Sequence, residues 1–132
     1  MKRIIALLLI AAIQTGCATK IEKAQTDIAR GWQISKVFED GQDVTATFLL
    51  GFGNYHIDLN SDGAFVETYH PFSGGLLQTV QGTWSFSDGI DKLTLTDPNQ
   101  TRIYQIERLD EEHLNLTDLG SNNNTELQLV PG

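Results

Sequence analysis

Only one cysteine, Cys17, occurs in the 132 residues, so no intramolecular disulfide can form. The fold must be held by its core alone. Basic residues are scarce too, with nine Lys and Arg against seventeen Asp and Glu. The net charge of −8 repels phosphate backbones and anionic headgroups, and no basic cluster offsets it. That argues against nucleic-acid binding. Long apolar runs are absent apart from Ile4 to Ile13, and this run is shorter than the ~20 residues a membrane-spanning helix needs. A Gly-x-Ser-x-Gly elbow is missing, as is a glycine-rich phosphate loop leading into a helix. Nothing assembles a nucleophile, a base and an orienting group, so no enzyme is expected.

The one apolar run has the flanks of an export signal. Met1-Lys2-Arg3 is a basic start, and Gln14-Thr15-Gly16-Cys17 brings small residues up to the cysteine. Cys17 stands where a lipobox cysteine is acylated and becomes the first residue of the mature chain; Gln14 takes the place usual for Leu. The expected organisation is a signal peptide over 1–16, a lipidated tether over 17–30 and one domain over 31–132. Cleavage removes Lys2 and Arg3, leaving seven basic residues against seventeen acidic ones and a charge of about −10. Ala18, where an inner-membrane retention Asp would stand, points to the outer membrane. Attachment would rest on acyl chains at roughly 0.8 kcal/mol per buried methylene.

From Gly31 onward the pattern is β. Gln81 to Thr96 is its clearest part. Gly82, Trp84 and Phe86 alternate with Thr83, Ser85 and Ser87, Asp88-Gly89 turns the chain, and Leu93 and Leu95 resume against Thr94 and Thr96. Period-two patterning on both sides of an Asp-Gly turn predicts a hairpin with one buried face. Trp32 and Ile34 open a first strand ending at Glu39 to Asp43, and Tyr55, Ile57 and Leu59 form another before Ser61-Asp62-Gly63. Ala64 to Tyr69, Thr101 to Leu109, Leu114 with Leu116, and Leu127 with Leu129 follow. Val44 to Leu50 reads as further β-forming sequence, while Ala18 to Arg30 reads as a tether with one or two helical turns. About eight short strands with frequent turns predict an all-β antiparallel meander, closed as a barrel or half-open as a sandwich.

Candidate chemistry is thin. Asp58 to Gly63 starts like a calcium loop, but Tyr69 stands where the bidentate acid belongs, so a tight turn is the expected reading. His56, His70 and His113 lie on separate segments, and no metal site is expected. Asp110-Glu111-Glu112 reads as a solvated turn. His70 and Phe72, in a glycine-rich loop, mark a candidate interaction surface, as does the Asn-rich turn Ser121 to Asn124. Trp32, Tyr55, Phe65, Trp84, Phe86 and Tyr104 fall on apolar strand faces, where they either fill a core or line a ligand cup.

With Trp32 opening the domain, Asp62-Gly63-Ala64-Phe65 turning into a strand and Gly82-Thr83-Trp84 in mid-chain, the chain resembles small lipocalin-like lipoproteins of Gram-negative bacteria. Lys92 to Thr96 and Leu114 to Thr117 continue the likeness, which covers about Gly31 to Val130. The resemblance implies a β-barrel or cup for a small apolar ligand; strands this short would make the cup shallow, and no cofactor is expected. The alternative is a solid barrel that binds another envelope protein through its loops.

Overall fold

The computed structural model describes residues 20–72 and 74–132. A helix over residues 20–28 (α1) precedes β1 (Gly31–Glu39), β2 (Gln42–Asp43) and a second helix, α2 (Thr45–Gly51). Seven strands follow: β3 (Gly53–Leu59), β4 (Ala64–His70), β5 (Gln78–Ser87), β6 (Lys92–Thr96), β7 (Thr101–Leu109), β8 (Leu114–Asp118) and β9 (Thr125–Pro131). Each neighbouring pair is antiparallel, and β9 pairs back onto β1 from Trp32↔Pro131 to Glu39↔Thr125. Eight strands thus close the expected barrel, with β2 a short appendage to β1. No helix among the described residues is long and apolar enough to cross a membrane.

The turns are the ones the sequence specifies. Asp40 and Gly41 both have positive φ, 50° and 81°, between the paired residues Glu39 and Gln42. That is the two-residue Asp-Gly hairpin whose twist suits adjoining strands. Asp88 and Gly89, at 52° and 73°, turn β5 into β6. Gly82 serves a different need, because a Cβ there would collide with the Thr96 carbonyl oxygen and come within 2.8 Å of Phe65 Cε1. Only glycine lets β5 bend this close to its neighbours.

Alternate residues turn inward. Trp32, Val37, Ile57, Leu59, Phe65, Leu93, Leu95, Leu114, Leu116, Leu127 and Leu129 form one core with Ile28, Trp84 and Tyr104. The barrel has a base, formed by turns 60–63, 88–91 and 110–113, and a mouth, formed by the segments between β2 and β3, β4 and β5, β6 and β7, and β8 and β9.

Two expectations need correction. Residues 20–28 are more than a tether, since Ala24 and Ile28 are buried and the Trp32 indole donates to the Ile28 carbonyl at 2.9 Å. One apolar stripe on α1 therefore stoppers the base. Val44 to Leu50 is largely α2, not strand. β1 and β3 pair only through Gly31↔Asp58, Trp32↔Ile57 and Gln33↔His56, then splay apart. The segment after β2 has no strand partner to extend, and Asp43 instead accepts hydrogen bonds from the Thr45 amide and hydroxyl. A helical turn satisfies the backbone internally where no ladder can.

Candidate functional site

The mouth is built where β1 and β3 separate. No residue of α2 is fully buried, so it sits over the opening mainly through a half-buried Phe48. Phe48 stacks on Phe52 at 4.8 Å, and Phe52 meets Tyr55 at 6.5 Å and Tyr69 at 4.9 Å. These rings roof an ionic cluster. On β4, Glu67 occupies an inward position and is buried, receiving Nη1 and Nη2 of Arg102 at 3.0 and 3.2 Å. The Tyr55 hydroxyl donates to the same carboxylate. Asp97 lies 3.9 Å from Arg102 and accepts the Asn99 and Gln100 amides, closing the turn between β6 and β7.

Burial pushes the Tyr55 phenol well above its ordinary pKa, with the Glu67 charge adding to the effect, and burial raises Tyr104 as well. A phenol whose folded-state pKa is raised supports the fold fully below its unfolded pKa near 10 and loses that support as pH rises further. Unfolding midpoints in urea are therefore expected to fall between pH 9 and pH 11. In Tyr55→Phe the fall should be shallower; an identical fall would show that Tyr55 is not the group titrating.

Beneath this cluster the barrel is full. The space enclosed among Tyr55, Ile57, Leu59, Leu95, Tyr104 and Leu116 amounts to about 10 Å³. That is near the volume one water needs, and apolar walls give a water too few partners. The expected cup is therefore absent from the barrel centre. Outside it, an open groove of about 650 Å³ follows the gap between β1 and β3, walled by Ile34, Leu49, Leu50, Tyr55 and Phe72 with His56 and His70 at its polar side.

Of the residues read as core or cup, Trp32 and Phe65 are fully enclosed and Tyr104 is buried. Trp84 donates its indole N–H to the Asn60 carbonyl at 2.8 Å and meets Phe86 edge-on at 5.5 Å. These two border an open concavity shared with Ile21 of α1. Only Tyr55 lines the mouth groove. Packing leaves the other five no open cavity at the mouth to face. His70 holds its own loop, with Nδ1 3.0 Å from the Gly75 carbonyl, and Phe72 stands 74% exposed beside it. His56 faces the Gly132 carbonyl and His113 faces Asp110, so the three histidines do not meet. Asp62 accepts the Ala64 amide as a turn residue. Hydrogen bonds from the Glu112 amide and His113 hold the Asp110 carboxyl well below its usual range, which makes that segment a structured turn. Among the described residues, no three His, Cys, Asp or Glu come together as a metal site. Cys17 lies outside the described residues.

Leu50 at 62%, Phe72 at 74%, Leu76 at 84% and Leu77 at 55% exposure all sit at the mouth end, with Leu49 and Phe52 less exposed beside α2. A signal for this surface was available in the sequence. Residues 44–57 and 68–87 contain no Asp, Glu, Lys or Arg in a chain that is 20% charged. Topology brings these two uncharged stretches to the same side of the mouth. The Glu67–Arg102 pair had a signal too, since both stand at inward positions of their strands among Phe65, Tyr69, Tyr104 and Ile106.

A closed antiparallel barrel with a helical stopper and a Trp on its first strand is the architecture of a lipocalin-like protein. The model of the lipocalin-like domain family matches residues 28–116, and the chain belongs to that family. Among solved structures, a lipocalin-like protein from Bacteroides uniformis ATCC 8492 is 15% identical. That match covers 80% of this chain and 99% of the other with a TM-score of 0.61, a likeness of fold. No curated protein matches the chain. A fold hosts many functions, so what this chain does must be argued from the surface it carries.

Proposed function

We propose that the protein is a lipid-anchored, non-catalytic binding module of the cell envelope that engages another envelope protein through its mouth-end loops. The observation that carries this reading is a contrast within one molecule. Its centre is packed to about 10 Å³, while Leu50, Phe72, Leu76 and Leu77 are left in water at one end. Exposed apolar side chains gathered in this way mark interaction sites. The export signal and Cys17 support the anchor, and Ala18 supports the outer membrane as its location.

Two variants test the two halves of the proposal. Cys17→Ser is expected to shift the protein from the membrane to the soluble fraction or to block its maturation. Unchanged membrane association would exclude Cys17 as the anchor. Leu76→Asp with Leu77→Asp is expected to leave Tm unchanged and to lower partner recovery, after cross-linking in host envelopes, by tenfold or more, equivalent to about 1.4 kcal/mol. Undiminished recovery would remove the mouth as the binding face.

A second reading, a small apolar ligand in the groove, is favoured by the groove's size. Its 650 Å³ falls within the roughly 300–1,000 Å³ of ligand sites. A bound small molecule seen by native mass spectrometry and lost in Phe72→Asp would support that reading instead.

A further inference from the structure

We infer that the partner surface received by the mouth has an apolar centre bordered by basic residues, and that this mouth faces away from the anchoring membrane. This rests on the mouth being a protein-binding face, and it adds the partner's chemistry and the direction of approach.

The charge argument begins with the two uncharged stretches, which put Leu50, Phe72, Leu76 and Leu77 on one side of the mouth with no ionised neighbour in either sequence. The hairpin between β1 and β2 leads directly into α2 and carries Glu39, Asp40 and Asp43, all exposed. Two of these carboxylates are held in place. Asp40 Oδ1 accepts the Asn124 amide at 3.2 Å across the β8–β9 loop, and Asp43 accepts from Thr45. Glu126 pairs across from Phe38 on the same rim. Lys36 is the nearby cation on β1, and Arg102 is taken up by Glu67. An apolar centre with an acidic border selects an apolar surface with basic residues on the matching side, and repels an acidic one.

The direction of approach comes from where the chain enters. Helix α1 packs on the base, and Cys17 precedes Lys20 by three residues, which reach about 10 Å at most. Strand β1 has nine residues, about 30 Å of extended chain tilted within the barrel wall. With Cys17 as the anchor proposed above, the membrane lies on the side of the base and the mouth projects from the opposite end.

The test uses the folded protein with two synthetic amphipathic helices of equal length, one of leucine and lysine and one of leucine and glutamate. Titration is followed by fluorescence anisotropy at low and high salt. The Leu/Lys helix is expected to bind at least tenfold tighter at low salt, with the advantage shrinking as salt rises. Glu39→Lys with Asp40→Asn should remove most of that advantage. A matched change at the base, Asp88→Asn with Asp91→Lys, should leave it in place. Equal affinity for the two helices, or equal loss in the base variant, would overturn the inference. So would tighter binding to zwitterionic vesicles than to the Leu/Lys helix, which would make the mouth a membrane surface. Loss of helix binding in the Leu76→Asp, Leu77→Asp variant but not in the charge variant would retain the protein-binding reading while rejecting the basic border. Retention in both would reject the mouth as a binding face.

Discussion

Glu67→Ala is expected to lower the unfolding free energy by about 3–5 kcal/mol, because it strands a buried charge. The carboxylate takes both terminal nitrogens of Arg102 as well as the Tyr55 hydroxyl, and alanine leaves all three donors without it. Asp97, whose Oδ2 lies 3.9 Å away while its Oδ1 is held in the turn by two amides, is too far to replace both bonds. The cost therefore comes mainly from what is left behind. It follows that Glu67→Leu combined with Arg102→Met should restore the part of the loss due to the stranded charge, since a hydrophobic pair of similar volume needs no desolvated charge. The Tyr55 hydroxyl left without its acceptor keeps about 1–3 kcal/mol of that loss. Urea unfolding of both single variants and the double variant gives the coupling directly. A loss below about 1 kcal/mol for Glu67→Ala would instead match a solvated pair, and would mean that α2 and its rings do not seal the mouth. The double variant also separates stability from binding. If the cluster is structural, its replacement should leave recognition by the exposed Leu50, Leu76 and Leu77 intact.

How much of this was legible in the sequence depends on which force set each feature. Strands were legible because a half-buried strand must alternate, and Tyr55-Ile57-Leu59 or Trp84-Phe86 can alternate only one way. Turns were legible where backbone conformation restricts residue choice, as at Asp40-Gly41 and Asp88-Gly89. Helix α2 was not. Val44, Thr45, Thr47 and Phe48 have β-forming side chains, and only the separation of β1 from β3, a property of the assembled barrel, made a helix the better solution. Helix α1 was half legible, since the spacing of Ala24 and Ile28 was visible but the base they close was not. The aromatic residues were the hardest. Periodicity places Trp32, Phe65 and Tyr104 on an inward face, yet whether an inward face lines a cup or fills a core depends on barrel diameter and on the side chains opposite. In this barrel the leucines of β6, β8 and β9 supply the missing volume. Of the mouth surface, Phe72 was legible from its glycine-rich loop, and the rest was visible only as two stretches free of charge, since absence of charge does not reveal exposure until the fold places it.

Trp32→Ala should be the other severe substitution, costing about 3–5 kcal/mol, because it empties the largest fully buried position among the described residues. Trp32 does two jobs at the base. Its ring fills the space between β3, β9 and α1, and its indole N–H donates to the Ile28 carbonyl at the end of α1. Arg30, whose Nη1 donates to the Glu111 carbonyl at 2.6 Å, lies 5.7 Å over the same ring. Removing the indole should therefore loosen α1 before the barrel opens. Trp32→Phe separates the two jobs by keeping most of the packing while giving up the hydrogen bond; the Ile28 carbonyl keeps the Arg30 amide at 2.8 Å, so the loss should cost about 0.5–1.5 kcal/mol. The alanine variant is expected to make the bonds after Lys20 and Lys23 susceptible to trypsin under conditions where β-strand amides still resist hydrogen exchange. Loss of α1 protection and barrel protection together would contradict this order. It would show that the helix and the barrel open as one unit, with the base stopper as much a part of the core as the strands it covers.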